Sequence, residues 1–205
     1  MKKLILASKS PRRRQILEKS GFNFLIANSD YEEELDSREF SYKKIETLAK
    51  NKAFGALPHT DKNSIILSAD TVVVFDNQIL TKPIDKNDAI ETLKKLSNNK
   101  HSVVTSICLL DVSSKKYILN STTTIVEFNY LTDELIEYYV TEFKPFDKAG
   151  SYGIQELPQG FLKSIQGNEE NVIGLSSQSV KDTLKDLSLL LQENLEKYVY
   201  LQDWI

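Results

Sequence analysis

An arginine-rich turn near the start of the chain has the residue types that bind phosphate. Three arginines, Arg12 to Arg14, follow Ser8 and the pair Ser10-Pro11, which is typical of a helix N-cap and first turn. Cations are disfavoured at this end of a helix, because the macrodipole already places partial positive charge there. Backbone N–H groups, serine hydroxyls and guanidinium groups all suit phosphate oxygens. The turn is therefore equally consistent with a phosphate site and with a solvated basic turn that pairs with acidic neighbours.

Asp70 is the candidate for acid–base chemistry. It follows the apolar stretch 64–69, which is predicted as a buried strand, and so it stands at the end of that strand. A carboxylate buried there without a partner costs several kcal/mol, so Asp70 must face a cleft, a metal or a cation. Ligand sites in α/β sheets favour the carboxyl ends of strands. Taken alone, however, such an aspartate more often caps the turn that follows it.

Isolated lysines and an acidic run complete the candidate residues. Lys52 falls on the apolar stripe of a predicted helix, and Lys82 precedes a proline at the end of a predicted hairpin. Each lysine alone is consistent with an ordinary surface residue. The acidic run 31–34 is either a solvated loop or the source of a carboxylate that shares a divalent cation with Asp70. It is the combination with the arginine-rich turn that indicates phosphoryl chemistry.

Composition and motifs exclude several other classes. The 26 basic and 29 acidic residues give a formal net charge of −3, which creates no overall field for nucleic acid or membrane. The first apolar run has four residues and no run approaches the roughly 20 that span a bilayer. The chain contains no GxxxxGK[ST], GxGxxG or GxSxG motif, and two histidines cannot build a histidine-rich zinc site. The single cysteine, Cys108, lies in an apolar run and indicates a buried inert thiol and a cytoplasmic protein.

The elements that must position these residues predict one α/β domain over 1–205. Helices alternate with strands early in the chain and hairpins dominate the middle, which favours a mixed sheet flanked by helices. Predicted strands lie at 4–7, 22–27, 64–69, 72–75, 78–80, 101–112 and 117–128. Predicted helices begin at the caps Ser10, Ser41, Asp85 and Thr132, and a last helix covers about 179–195. Residues 144–160 are predicted as a loop.

Three separated motifs resemble the Maf family of nucleotide pyrophosphatases. They are Leu-Ala-Ser-Lys-Ser-Pro-Arg-Arg at 6–13, Ala-Asp-Thr-Val-Val at 69–73 with Lys82-Pro83, and Asp-Lys-Ala-Gly-Ser-Tyr-Gly-Ile-Gln at 147–155. The resemblance covers nearly the whole chain in the right order. It implies an elongated, two-lobed mixed-sheet fold related to inosine triphosphate pyrophosphatases, with a central cleft for a nucleotide and a divalent metal, and a homodimer. The form of the third motif resembles the branch that prefers dTTP and UTP.

Carried over position by position, the resemblance implies a role for each candidate. The catalytic acid falls on Asp70, and Asp70 with Glu33 would hold Mg²⁺ or Mn²⁺. The family's phosphate-binding positions fall on Ser8, Arg12, Arg13, Lys52 and Lys82, and its specificity positions on Arg12, Thr71 and Gln155. Glu156 departs from the family, which often has glycine there.

The reaction implied is hydrolysis of a nucleoside triphosphate to the monophosphate and pyrophosphate, by metal-assisted attack of water on the α-phosphate. The alternative is a nucleotide-binding regulatory protein of cell division, which would have the same cleft with little turnover. A nucleic-acid binder that uses Arg12 to Arg14 would need an extended basic surface, which the charge balance does not support.

Overall fold

One mixed β-sheet carries the helices on its two faces. The structure is a computed structural model, which describes residues 2–32 and 37–191. The strands are β1 (Lys3–Leu6), β2 (Phe24–Ile26), β3 (Ser64–Phe75), β4 (Gln78–Leu80), β5 (Lys100–Asp111), β6 (Tyr117–Phe128) and β7 (Leu162–Gln166). The helices are α1 (Pro11–Lys19), α2 (Tyr42–Gly55), α3 (Lys86–Leu96), α4 (Asp133–Phe143), α5 (Glu169–Ile173) and α6 (Ser177–Leu191). Short 3₁₀ turns lie at Leu57–His59, Ala149–Ser151 and Ile154–Glu156.

The strand order confirms the predicted mixed sheet flanked by helices. The strands run in the order β2-β1-β3-β5-β6-β7, and β4 pairs with β3 beside this path. β1 is parallel to both β2 and β3, whereas the other pairs are antiparallel. The long central hairpin of β5 and β6 was predicted by its two β-branched stretches. The parallel part needs crossover connections, and α1 supplies the one between β1 and β2.

One edge of β3 is only partly covered by other strands. Its parallel pairing with β1 ends at Leu67, and its antiparallel pairing with β4 begins at Val73. On the opposite edge β5 pairs with β3 without interruption from Ile65 to Val74. Within the described chain, residues 68–72 of β3 therefore have no strand neighbour on the β1 side. Side chains from helices and loops approach the sheet in this gap.

The core follows the period-two alternation of the strands. Leu67 packs in a cluster with residues of α1 and α6, whereas its neighbour Ile66 packs in a cluster with residues of α2 on the other face. Farther along the sheet, α3 and α4 pack on Val73 and Phe128. Different helices therefore bury the two ends of the sheet, and the gap in the β3 edge lies between them.

Several local predictions are confirmed by the hydrogen bonds that they require. Ser41, Asp85 and Thr132 each accept a hydrogen bond from a backbone N–H of the helix that they precede. The turn at Asp76 and Asn77 has positive φ at both residues, as a tight two-residue hairpin requires. The three helices and the hairpin thus begin and turn where the sequence indicates.

Other predictions need correction. The stretch 64–69 does not end before Asp70, because β3 continues without a break to Phe75. Asp70 therefore lies inside a strand, and it neither closes the strand nor caps a turn. Strand β7 and helix α5 were not predicted, since each has only five residues and little periodic pattern. The end of the predicted last helix, beyond 191, lies outside the described residues.

The described helices include none that is both long enough and apolar enough to cross a membrane.

Candidate active site

Asp70 and Lys52 form an ion pair at the gap in the β3 edge. Asp70 lies opposite Ser106 of β5, and the residue is only 3% exposed. Lys52 is in the last turn of α2, and its Nζ donates a hydrogen bond to Asp70 Oδ1. Helix α2 is held on this strand by Ser68, whose hydroxyl donates to the Ala49 carbonyl at 2.5 Å. The ammonium group offsets the cost of burying the carboxylate, so Lys52 is not simply a lysine that reaches into solvent.

Arg13 is oriented by three neutral oxygens from three different segments. Its Nη2 donates to Thr71 Oγ1 at 2.9 Å, its Nε to the Gly174 carbonyl at 2.9 Å, and its Nη1 to Ser8 Oγ at 3.3 Å. These acceptors fix the plane of the guanidinium group. Thr71 in turn lies 2.9 Å from the hydroxyl of Thr105 in β5. Arg13 and Asp70 line the same cavity.

Arg12 takes part in a second set of charged contacts. Its Nη1 lies 3.3 Å from Asp147 Oδ2, while Lys148 Nζ lies 2.9 Å from the other oxygen of the same carboxylate. Lys148 also lies 3.1 Å from Glu156 Oε2. Although burial acts to raise it, the pKa of Asp147 is lowered, because Lys148 and then Arg12 donate hydrogen bonds and carry positive charge. Asp147 is therefore ionised at neutral pH.

Two adjoining cavities meet at these charged groups. One has a volume of about 210 Å³ and the other about 460 Å³, and both contact Arg12, Arg13, Lys52, Lys82 and Asp147. The smaller cavity has apolar walls from Val103, Val172 and Ile173. The larger cavity is lined by the turn at 7–13 and by Ser29 and Tyr31. The arrangement offers a polar, cationic region beside a partly apolar one.

The structure brings together nearly all of the residues that the sequence singled out. The smaller cavity is lined by Arg12, Arg13, Lys52, Asp70, Thr71, Lys82 and Gln155. Ser8 lines the larger cavity. Glu33 lies outside the described residues. Among the described residues Lys82 forms no ion pair.

A buried aromatic group supports the loop that carries Gln155. His101 Nε2 lies 2.8 Å from the Tyr152 hydroxyl, and both rings pack edge to face on Phe128. Burial lowers the pKa of His101 to about 4, so its ring is neutral at pH 7. Tyr139 accepts a hydrogen bond from the Gly153 backbone at 3.0 Å. This position agrees with the prediction that His101 is structural. Cys108 is buried as well, as predicted, and burial raises the pKa of its thiol to about 12.

Sequence reasoning missed Asp147, Lys148 and Glu156 as parts of the site. They belong to or adjoin the third motif, but their charges were not connected to Arg12 because the partners are far apart in the chain. The sequence did contain a signal for this part of the site, since Asp147 and Lys148 directly precede the glycine-containing turn. Within the described residues, no three His, Cys, Asp or Glu side chains form a cluster that could hold a metal ion.

Comparison with known proteins identifies the family. The family model described as "Maf-like protein" matches residues 3–187, which is most of the chain. The chain belongs to the Maf-like family. This Maf-like protein is also 41% identical over 189 residues to the dTTP/UTP pyrophosphatase of Ruminiclostridium cellulolyticum, covering 92% of the chain and 97% of the relative. It is 37% identical over 190 residues to the protein of the same name from Clostridium perfringens strain 13, covering 92% and 99%.

A solved structure with a related name is more distant from this Maf-like protein. The nucleoside-triphosphatase, or dITP/XTP pyrophosphatase, of Mycobacterium abscessus has 15% sequence identity and a TM-score of 0.44, with coverage of 95% of this chain and 99% of that one.

Proposed function

We propose that this Maf-like protein hydrolyses nucleoside triphosphates, with dTTP and UTP as preferred substrates, to the nucleoside monophosphate and pyrophosphate. The observation that carries the proposal is a buried Asp70 paired with Lys52 in a cleft that Arg12, Arg13 and Lys82 also line. A carboxylate surrounded by several cations suits a reaction in which a polyanion is bound and a water molecule is activated. The relatives that are named dTTP/UTP pyrophosphatases support the same reaction.

The two cavities suit different parts of such a substrate. The larger one combines the positive end of α1 with arginine and lysine side chains, which suits a chain of phosphates. The smaller one combines apolar walls with Gln155, which suits a nucleoside. A glutamine side chain carries both a donor and an acceptor, so it can match the adjacent carbonyl and N–H of a uracil or thymine ring.

In the proposed mechanism Asp70 orients a water molecule and accepts its proton. The water oxygen forms a bond to the α-phosphorus while the bond from that phosphorus to the bridging oxygen breaks, and pyrophosphate leaves with the electron pair. Arg12, Arg13 and Lys82 offset the negative charge that accumulates on the phosphate oxygens. Lys52 holds the Asp70 carboxylate in place through their ion pair.

A divalent cation fits the donors at this position. Mg²⁺ and similar ions bind in proteins through one or two carboxylates together with substrate phosphates, and Asp70 is a hard oxygen donor inside the cleft. We propose Glu33 as the second carboxylate. The segment that leads to Glu33 already lines the larger cavity at Ser29 and Tyr31, which supports this assignment. When bound, Mg²⁺ or Mn²⁺ would supply positive charge to the phosphates and acidify a bound water.

Pyrophosphate release from a panel of nucleoside triphosphates tests the proposal. With Mg²⁺ or Mn²⁺ present, we expect monophosphate and pyrophosphate from dTTP and UTP, and a loss of roughly 10² to 10⁴ in turnover for Asp70→Asn. Asp76→Asn is the matched control, because it removes an exposed carboxylate from the β3–β4 turn, six positions along the chain. Turnover in Asp70→Asn equal to that of Asp76→Asn would remove Asp70 from the mechanism. Nucleotide binding without product from any substrate would favour a regulatory protein.

Further properties stay predictions. These are the single-domain organisation over 1–205, the homodimer, the cytoplasmic location and the absence of nucleic acid or membrane partners. Size-exclusion chromatography with light scattering tests the homodimer directly.

A further inference from the structure

Asp147 is a negative charge in the cationic part of the cleft. Its carboxylate lines both cavities, in company with Arg12, Lys52 and Lys82. A carboxylate near the path of a polyphosphate repels it, and the repulsion is about 1 kcal/mol at 4 Å even in bulk water. A group that only weakened substrate binding would be a disadvantage at this position. The partners of Asp147 indicate what it does instead.

The two cations that Asp147 contacts hold it with unequal firmness. Lys148 is 9% exposed, its Nζ lies between Asp147 and Glu156, and its stem is so close to Gly153 that a Cβ there would approach Lys148 Cε to 2.8 Å. Lys148 is thus fixed from several sides. Arg12 contacts Asp147 through one nitrogen at 3.3 Å, and its side chain is 32% exposed. A single, long, half-exposed contact is weak compared with a bidentate pair.

The exposure of Asp147 also favours a contact that can be exchanged. Its side chain is 64% exposed, so water can replace Arg12 beside the carboxylate at little cost. A phosphate offers a guanidinium group stronger hydrogen bonds than this one, because two parallel N–H donors can reach two of its oxygens. Arg12 therefore forms stronger hydrogen bonds when it turns from Asp147 to a phosphate, and Asp147 keeps its contact with Lys148.

We propose that Asp147 is an exchangeable counter-ion for Arg12. Without nucleotide, Asp147 pairs with Arg12. When substrate binds, Arg12 leaves Asp147 and pairs with a substrate phosphate, and when pyrophosphate dissociates, Arg12 pairs with Asp147 again. Lys148 holds Asp147 in place through the whole cycle. Asp147 is thus a positioning residue that acts through Arg12, and it limits how tightly the product is retained. This inference rests on the proposed function, since it assigns the exchanged anion as a substrate or product phosphate.

Binding of inorganic pyrophosphate, measured by titration calorimetry on the purified full chain, tests the exchange without turnover. Asp147→Asn keeps the size of the side chain and removes its charge, so pyrophosphate no longer competes with a carboxylate for Arg12. We expect the Kd for pyrophosphate to fall about two- to fivefold, the range that corresponds to an exposed ion pair. We also expect a lower KM for dTTP without a rise in kcat, because slower product release accompanies tighter binding.

Two further variants separate exchange from a general effect of charge. Glu156→Gln removes the other carboxylate that contacts Lys148 and should not tighten pyrophosphate binding. In an Arg12→Met background, Asp147→Asn should no longer tighten binding, because no arginine is left to exchange. Unchanged or weaker binding in Asp147→Asn, an equal gain in Glu156→Gln, or an equal gain without Arg12 would each overturn the inference. So would a wild-type chain that does not bind pyrophosphate.

The outcomes remain separate from those of the proposed function. Failure of the proposed function is the absence of pyrophosphate release from every nucleoside triphosphate by the wild type. Failure of the exchange is a pattern of pyrophosphate affinities among five chains (the wild type, the three single variants and the double variant), and these affinities are measured whether or not any chain turns over substrate.

Discussion

Thr71→Val tests whether the sheet orients Arg13 for phosphate binding. Valine has almost the same shape as threonine but offers no acceptor for Arg13 Nη2, which now lies 2.9 Å from the hydroxyl. The Thr105 hydroxyl, which donates to the Asn171 carbonyl at 3.1 Å, cannot donate its one hydrogen to Thr71 as well. In the wild type the Thr71 hydrogen is therefore directed to Thr105 or to Gly174, and its lone pair is left for Arg13. The substitution breaks this link between Arg13 and the strand.

The magnitude follows from the kind of bond that is lost. A hydrogen bond to a charged group contributes about 1.5–3 kcal/mol when buried, and partial access of water to Arg13 reduces this to about 1–2 kcal/mol. We expect the free energy of unfolding in urea to fall by that amount, and Tm to fall by roughly 2–8 °C. If Arg13 binds phosphate in the transition state, kcat/KM for dTTP should fall about 5- to 30-fold.

The matched control is Thr71→Ser, which keeps the hydroxyl and removes only a methyl group. It should retain most of the activity, and its loss of stability should be smaller than that of the valine variant. The reasoning is refuted if neither variant loses activity, or if both lose activity equally. In the first case Arg13 does not need Thr71, and in the second the methyl group and not the hydroxyl matters.

Two other predictions concern stability. Gly150→Ala should destabilise the fold by about 2 kcal/mol or more in a urea titration, because φ is +67° and the new Cβ would lie 2.8 Å from a Val73 methyl carbon; equal stability of the two chains would contradict this. The pKa of the buried Asp111 is lowered because hydrogen bonds from Lys2, Ser114 and Ser113 outweigh the opposing effect of burial. Its folded pKa thus lies below its unfolded value, so its contribution to stability is complete above about pH 4 and is lost as the pH falls through the folded pKa. The stability difference between wild type and Asp111→Asn should therefore shrink between pH 6 and pH 3, and a constant difference would show that ionisation of Asp111 contributes nothing.

The features that could be predicted from the sequence are those that local interactions decide. Ser41 caps α2 because its hydroxyl reaches a backbone N–H three residues ahead, and nothing distant has to be known. Asp76 and Asn77 form the hairpin turn for the same reason, since both residue types tolerate positive φ. The grouping of the motif residues in one cleft was available only from the family resemblance. Periodicity alone left Lys52 and Lys82 as ordinary lysines.

What could not be predicted depends on which segments meet across the fold. Lys52 and Asp70 are 18 positions apart and belong to different elements, so the apolar stripe of α2 did not reveal that its last turn ends over β3. Arg12 and Asp147 are separated by 135 positions, and the sequence around each is equally consistent with a solvated surface charge. To decide between a solvated charge and an ion pair with a distant segment, one must know the order of the strands.

The position of Asp70 shows why that order decides the chemistry. A central strand that is covered on both edges has no room for a ligand beside it, and a carboxylate there would be buried without access. β3 avoids this because β1 leaves its edge after Leu67 and β4 does not reach it until Val73. Asp70 lies in the middle of that interval, where α2 supplies Lys52 and the chain after β1 supplies the arginines of α1. The strand continues through the site and holds Asp70 rigidly, whereas a carboxylate at a strand end would have moved with its loop.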